Sequence, residues 1–266
     1  MTARMKTAWR GLLLLFCALV GIWLTAPSLV VIPLSFADRA SFVFPPSGWS
    51  TQWYANFFED PSWMSALSAS LQVGVLVAAV ATTFGTAAAV ALSRAQFFGK
   101  QGIRALLLAP MVVPVIVVAI GIYAIFLQLN LLGTTFGFVI AHSVLALPFV
   151  IVPVMASLAN FDTRLENAAA ICGAGRWTTF RTVTLPLVAP GVLSGALFAF
   201  ATSFDEVVLS LFIQSPYLQT LPVKMYSSVT RDTDPTIAAA GTLILLLTTV
   251  LTVIAGIYTF RRNRVH

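Results

Sequence analysis

The stretch Glu166–Gly191, ENAAAICGAGRWTTFRTVTLPLVAPG, is a polar, glycine- and proline-containing run between two apolar segments. Two apolar stripes at helical spacing flank a glycine turn, which predicts two short helices joined by a sharp bend. Leu185-Pro186 is expected to end the second helix, because proline cannot continue a helix and disfavours helical geometry in the residue before it. The stripes are Leu165, Ala169 and Cys172, then Trp177, Phe180 and Val183, and the turn contains Gly173 and Gly175.

This helix–turn–helix unit is compatible with two roles. The small residues Ala168–Ala170 leave room for the backbone of another protein, so the unit could be a docking surface. An amphipathic helix lying on the inner leaflet of a membrane would show the same periodicity. Periodicity alone leaves both alternatives open.

The composition of the whole chain is that of a membrane protein. Its 266 residues are 59% hydrophobic and 9% charged, with a mean hydropathy of +0.93, whereas a soluble domain has about 25% charged residues. A helix needs about 20 apolar residues to cross the hydrocarbon core, and six segments satisfy this. We therefore predict an all-α membrane protein with six transmembrane helices in a single domain, residues 1–266. The predicted spans are Gly11–Phe36, Leu67–Leu92, Ile103–Leu127, Gly133–Leu158, Val188–Ile213 and Thr236–Thr259.

The basic residues predict how these spans are oriented. Twelve of the fifteen lie on the two tails and on the loops after spans two and four, which places both termini and the loop 160–187 in the cytoplasm. The net charge of +6 is scattered rather than clustered, so nucleic-acid binding is not expected. On the outer side, the aromatic loop Ala37–Ala66 is expected at the membrane–water interface. The twelve are Arg4, Lys6, Arg10, Arg94, Lys100, Arg104, Arg164, Arg176, Arg181, Arg261, Arg262 and Arg264.

The opening stretch resembles the EAA loop in permease subunits of bacterial ATP-binding-cassette (ABC) importers with the six-helix, type I fold. In that family, Glu-Ala-Ala is followed three residues later by Gly and, after nine more residues, by Ile-x-Leu-Pro. The position between spans four and five also agrees with the family. The matching residues here are Ala168, Ala169, Gly173, Val183, Leu185 and Pro186.

The glutamate of the motif is the one departure from the family pattern. Its place is taken by Asn167, and Glu166 lies one residue earlier, so either side chain could make the contact of the family's carboxylate. The resemblance implies that the loop 160–187 forms a coupling helix, which seats in a groove of a cytoplasmic ATPase. The implied ATPase-coupling residues are Glu166, Asn167, Ala168, Ala169, Gly173, Ala174, Leu185 and Pro186.

The resemblance also implies the other components of a transporter. Two copies of an ATPase subunit would bind ATP and magnesium, because this sequence contains no GxxxxGK[ST] motif. This chain is therefore expected to be non-catalytic and to hold no cofactor or metal. A second, related permease would complete the pathway, and a periplasmic or extracellular solute-binding protein would deliver the substrate. The chain itself would be a multi-pass protein of the bacterial cytoplasmic (inner) membrane, surrounded by lipid.

Two adjacent acids, Asp205 and Glu206, occur inside the predicted fifth span. A charged residue at the bilayer centre costs roughly 2.5–3.5 kcal/mol on insertion scales, so such residues usually face a cavity or a partner. On a continuous helix, Glu206 shares a polar arc with three hydroxyl side chains, and Asp205 lies to one side of that arc. We therefore expect Glu206 to face an aqueous path most squarely, with Asp205 at the rim of the path or at a subunit contact. A weak cation site and bonding between helices both remain open. The expected substrate-path residues are Thr202, Ser203, Asp205, Glu206, Ser210 and, on the outer side, Tyr226.

The surrounding pattern SFDEVVLSLFI, followed by TLPVKMYS, resembles permease subunits of spermidine/putrescine importers, which carry paired acids at this place. This resemblance implies a polyamine substrate, although relatives that transport other small organic solutes share much of the pattern. The competing class is an ion-driven secondary carrier. Such carriers often have broken helices and inverted repeats, which are not evident in this sequence, and they have no use for the loop 160–187.

Two further features are expected to be structural. His142, in span four, has no second histidine or acid at metal-ligand spacing, so we interpret it as a buried, hydrogen-bonded histidine rather than a proton relay. The pair Gly191-x3-Gly195 would permit close packing against another helix.

Overall fold

The computed structural model describes the backbone of residues 3–231 and 234–263 and the side chains of residues 9–230 and 234–250. As predicted, the described residues form helices, and they contain no extended strand. A 3-10 turn follows α4 and a π turn follows α8. The helices are α1 (Ala3–Leu34), α2 (Gln52–Glu59), α3 (Pro61–Arg94), α4 (Lys100–Leu108), α5 (Val115–Leu129), α6 (Thr135–Ala159), α7 (Arg164–Ile171), α8 (Arg176–Thr179), α9 (Leu185–Phe204), α10 (Val208–Ile213), α11 (Leu221–Arg231) and α12 (Thr236–Asn263).

Several of these helices are long and apolar enough to cross a membrane. Within the described residues they are Trp9–Leu34, Pro61–Arg94, Thr135–Ala159 and Arg176–Phe204, which correspond to predicted spans one, two, four and five. The sixth predicted span is helical as α12, with side chains described up to Val250. The count of six spans and the cytoplasmic termini stay predictions. The side chains of Arg4, Lys6, Arg261, Arg262 and Arg264, which contribute to the predicted orientation, lie outside the described residues.

The predicted third span, Ile103–Leu127, is not one uninterrupted helix. The segment Lys100–Met111 meets α5 at a bend of 100°. Pro114 lies at the bend, where it has no N–H to continue the helical hydrogen bonds and disfavours helical geometry in Val113. The prediction of a continuous helix was therefore wrong at this point.

The chain divides into two compact units, Met1–Met64 with Met225–His266, and Ser65–Lys224. In the first unit, α2 packs against α12, and Asn56 Nδ2 donates a hydrogen bond to Thr236 Oγ1 at 2.7 Å. Asn56 belongs to the predicted outer aromatic loop, Ala37–Ala66. The apolar window of α1 contains no buried side chain. Although α1 packs against α12 within this unit, most of its apolar side chains are exposed and require an apolar environment, so α1 is suited to contact lipid or another protein chain.

The second unit is built around α6, whose side chains are more buried than those of the other candidate spans. Helix α9 packs closely along α6 because its two glycines present no side chain at the contact. A Cβ atom at Gly191 would lie 2.7 Å from the carbonyl oxygen of Pro153, and one at Gly195 would lie 3.0 Å from Cα of Val150. The prediction of close packing from the glycine spacing is confirmed, and the partner helix is α6 of the same chain.

We expect Gly191→Ala to destabilise this helix pair, because the new methyl group meets a backbone carbonyl that cannot rotate away. Overpacking of this kind costs about 1–3 kcal/mol. The measurement is thermal unfolding of the purified protein in detergent. Gly121→Ala is the matched control, since Gly121 is also helical and a Cβ there has no atom within 4 Å. Equal unfolding temperatures for the two variants would contradict the close packing.

Candidate functional site

The loop 160–187 contains the predicted pair of short helices, α7 and α8, joined by a tight turn. Gly173 has φ +86°, in the left-handed region that favours glycine. Its N–H donates to the carbonyl of Ala170, and the N–H of Ala174 donates to the carbonyl of Ala169, both at 3.0 Å. These two bonds form the Schellman motif that commonly ends a helix with glycine. The turn therefore depends on Gly173, whereas Gly175 has an ordinary negative φ of −70°.

The second short helix does not end at Leu185-Pro186 as predicted. The segment Arg176–Phe204 forms one helix of 29 residues, which passes through the π turn Phe180–Thr184. Pro186 is the second residue of α9, directly after this irregular turn. The π turn departs from the regular hydrogen-bond pattern of an α-helix, and this irregularity accommodates a proline, which has no N–H to donate. The second half of the loop, from Arg176 onwards, and the fifth span are consequently parts of one continuous helix.

The exposed side of the loop carries two large apolar side chains. Ile171 is 87% exposed and Trp177 is 71% exposed, and the Trp177 ring stacks on that of Phe180 at 5.7 Å. The periodicity argument missed Ile171 because it lies outside the apolar stripe of α7. Exposed apolar side chains beside polar residues indicate a surface for another chain. Of the predicted coupling residues, Asn167, Ala168, Gly173 and Pro186 are exposed, and Glu166, Ala169, Ala174 and Leu185 are partly buried.

Glu166 differs from its neighbours because its carboxylate turns towards the rest of the second unit. It forms an ion pair with Arg94, at the last residue of α3, and accepts a hydrogen bond from the hydroxyl of Thr184. Arg94 Nη2 also donates to Thr184 Oγ1 at 3.3 Å, and Thr184 is fully buried. This three-residue cluster joins α7 to the end of α3 and to the π turn. The sequence pattern did not indicate Arg94 or Thr184, because they lie far from Glu166 along the chain.

The fifth span is interrupted where its two acids occur. Helix α9 ends at Phe204, and α10 begins at Val208. The single polar arc expected on a continuous helix therefore does not extend past Phe204. Asp205 is exposed, and its backbone N–H donates to the carbonyl of Ala201 at 3.0 Å, whereas its carboxylate has no hydrogen bond or ion pair with any residue that the structure describes.

Glu206 is half-buried and has a local structural contact. Its Oε1 accepts a hydrogen bond from the N–H of Leu209 at 2.8 Å. A carboxylate in this position satisfies one of the free N–H groups at the start of α10 and interacts favourably with the helix dipole. The expected order of the two acids is thus reversed, since Asp205 rather than Glu206 is the more accessible.

His142 contacts both sides of the interruption. Its Nδ1 lies 3.0 Å from Ser203 Oγ, near the end of α9, and its Nε2 lies 3.0 Å from Ser210 Oγ, in α10. All three residues are buried, so the prediction of a buried, hydrogen-bonded histidine is confirmed. The two serines were expected to line the substrate path, and in the structure their hydroxyl groups contact His142. Thr202 is partly buried, and Tyr226 is half-exposed on α11, in the first unit.

Comparison with known sequences finds relatives that are all membrane components of transport systems. Residues 81–264 match the family described as "Binding-protein-dependent transport system inner membrane component". The spermidine/putrescine transport system permease protein PotC of Escherichia coli is 35% identical over 90% of this chain and 90% of its own length. PotC of Haemophilus influenzae is 32% identical over 93% and 96%. The putrescine transport system permease protein PotI of E. coli is 34% identical over 90% and 86%.

Solved structures support the same fold. A bacterial ABC transporter involved in the import of the acidic polysaccharide alginate matches with a TM-score of 0.74 and 14% identity, over 96% of this chain and 97% of that chain. The alginate transporter in complex with its alginate pentasaccharide-bound periplasmic protein matches with a TM-score of 0.71 and 12% identity, over 94% and 93%. These structures show the permease fold of ABC importers. Together with the sequence relatives, they show that the chain belongs to the family of inner-membrane components of binding-protein-dependent transport systems.

Proposed function

We propose that this chain is a permease subunit of an ATP-driven importer of polyamines such as putrescine and spermidine. The observation that carries the substrate assignment is the exposed carboxylate of Asp205, at an interruption in an otherwise apolar span. Polyamines are flexible chains of ammonium groups and methylenes, so a carboxylate in an apolar pathway attracts the charges and leaves the methylenes in apolar surroundings. The names of the PotC and PotI relatives support the same assignment.

The solved structures with the same fold help to show which features determine the substrate. They import an acidic polysaccharide with the same architecture, so the fold does not determine the charge of the substrate. An anionic cargo would be repelled by the adjacent acids Asp205 and Glu206. The acids therefore favour a cationic cargo within a shared fold.

The proposed assembly contains this chain, a second related permease, two copies of an ATPase and a solute-binding protein. ATP and magnesium would be bound by the ATPase subunits. The exposed side chains of Ile171, Trp177 and Asn167 support docking of an ATPase on the loop 160–187. The exposed apolar side chains of α1 support a contact with the partner permease or with lipid.

The test is uptake by the complete complex, reconstituted in proteoliposomes with ATP inside and loaded solute-binding protein outside. We expect ATP-dependent accumulation of putrescine or spermidine, and no accumulation of alginate oligosaccharide or neutral amino acids. Omitting the ATPase subunits should abolish uptake. Uptake that persists without them and follows an imposed ion gradient would establish a secondary carrier instead. Selective uptake of a different organic solute would keep the importer class and overturn the polyamine assignment.

A further inference from the structure

We propose that His142 is a positioning residue, which holds the interruption of the fifth span in shape and so presents the carboxylate of Asp205 to the cationic substrate. The inference rests on the proposed function, because its test measures polyamine uptake. Its structural basis is the pair of 3.0 Å contacts from one imidazole ring to Ser203 and Ser210.

The hydrogen-bond network determines the direction of both contacts. Ser210 Oγ lies 2.9 Å from the carbonyl oxygen of Glu206, so the Ser210 hydroxyl donates to that carbonyl. The same oxygen then accepts from Nε2–H of His142. Nδ1 is left as the acceptor for the hydroxyl of Ser203. A neutral imidazole with one donor and one acceptor nitrogen satisfies this arrangement completely.

The two contacts fit an interrupted helix. Ser203 and Ser210 are seven residues apart, and in an uninterrupted helix they would be separated by about 10.5 Å along the axis. This separation is more than one imidazole ring and two 3.0 Å hydrogen bonds span. The bridge from His142 therefore forms because the chain departs from helical geometry between α9 and α10, and it stabilises that departure.

The imidazole of His142 is packed in a fixed position, so it can fix the positions of the two serines that it contacts. It is 1% exposed, belongs to the most buried of the candidate spans and lies 5.5 Å from the ring of Phe138. An interruption within a membrane also requires partners for the backbone groups that it frees. Ser210 satisfies the carbonyl of Glu206, and the Glu206 carboxylate satisfies the N–H of Leu209. Asp205 is the remaining acid, and it lies between the two anchored serines.

The test is a double-mutant cycle between His142→Leu and Asp205→Asn, measured as uptake by the reconstituted complex while the concentration of loaded binding protein is varied. We expect His142→Leu to lower the maximal rate about tenfold, the size expected when one or two hydrogen bonds are lost, and Asp205→Asn to lower it between about tenfold and a hundredfold, the size expected when a bond between the charged carboxylate and the substrate is lost. The concentration of binding protein that gives half-maximal uptake should not change, since both substitutions lie within the predicted spans four and five and not in the predicted outer loop Ala37–Ala66. The double variant should be no slower than the slower single variant, because His142 acts through Asp205.

A double variant about tenfold slower than the slower single variant, as expected for losses that multiply, would overturn the proposal. Ser143→Ala is the matched control. Ser143 is the next residue on α6 and is also buried, but its hydroxyl has no partner among the described residues, so uptake should not change. If His142→Leu prevents assembly of the complex, the double substitution Ser203→Ala with Ser210→Ala is used instead. It removes the same two hydrogen bonds while the imidazole ring stays in place, and the cycle with Asp205→Asn is then repeated. Absence of polyamine uptake by the unmodified complex would overturn the proposed function, and the cycle would then be measured with the solute that is transported.

Discussion

Glu166→Arg is expected to reduce uptake by the reconstituted complex about thirtyfold while the ATPase remains bound. The substitution replaces the ion pair with Arg94 by two positive charges and removes the acceptor of the buried Thr184 hydroxyl. An attraction of up to about 1 kcal/mol becomes a comparable repulsion in a partly exposed pair. The resulting change of about 2 kcal/mol corresponds to a factor of about 30 in the population of the anchored loop. ATP hydrolysed per polyamine imported should rise, because the loop is no longer fixed to α3.

The exchanged pair Arg94→Glu with Glu166→Arg is the control for this prediction. It restores an attraction between the same two positions, and Thr184 can accept a hydrogen bond from the new arginine. We expect partial recovery of uptake, measured beside ATPase activity in the same vesicles. Glu166→Gln should have an intermediate effect, because it keeps an acceptor for Thr184 but not the charge. Failure of the exchanged pair to recover any uptake, with the ATPase still bound, would show that Glu166 acts outside this cluster.

Asp205→Asn is expected to lower polyamine uptake between about tenfold and a hundredfold. It removes the charge from the one acid of the interruption that is exposed and unpaired within the described residues. A hydrogen bond to a charged group is worth about 1.5–3 kcal/mol, and each 1.4 kcal/mol is a factor of ten. Asp205→Glu should retain part of the activity. The measurement is the initial rate of putrescine and spermidine uptake at a saturating concentration of loaded binding protein.

Glu206→Gln is the matched neutralisation on the adjacent residue. Its amide oxygen can still accept the hydrogen bond from the N–H of Leu209, so the start of α10 remains satisfied. We therefore expect a much smaller loss of uptake than for Asp205→Asn. Equal losses for the two variants would mean that the acids act as one charged site, and a larger loss for Glu206→Gln would restore the order expected from a continuous helix.

The long helices and the loop were predictable because their signals are local. Helical spacing and apolar length indicate α3 and α6, and the glycine at 173 indicates the turn after α7. The two interruptions were less accessible from sequence. Pro114 could have suggested the bend after α4, since Pro110 and Pro114 lie one helical turn apart. The interruption at Asp205 contains no proline or glycine, so the local sequence did not predict a break in the helix.

The contacts that define the candidate sites could not be predicted for a different reason. They join residues that are distant in the chain, such as His142 with Ser203, or Arg94 with Glu166. A helical projection places side chains around one axis and contains no information about which neighbouring helix they face. It consequently assigned Ser203 and Ser210 to a water path, whereas buried hydroxyl groups require hydrogen-bond partners and find one in His142. Ile171 was missed because isolated periodicity cannot show which apolar side chains remain uncovered.

The continuity of the helix Arg176–Phe204 has a mechanical consequence. Its 29 residues correspond to a length of about 44 Å. With its lower end fixed, a tilt of about 10° would carry the upper end sideways by about 8 Å, since that end lies about 44 Å away. Because the helix is continuous from Trp177 of the docking surface to the acidic interruption, a displacement at either end is transmitted along it to the other. Coupling between two binding sites is reciprocal, so a substrate that binds better to one tilt of the helix also changes the affinity of the permease for an ATPase that favours that tilt. The affinity for the ATPase should therefore differ between the empty and the substrate-loaded permease.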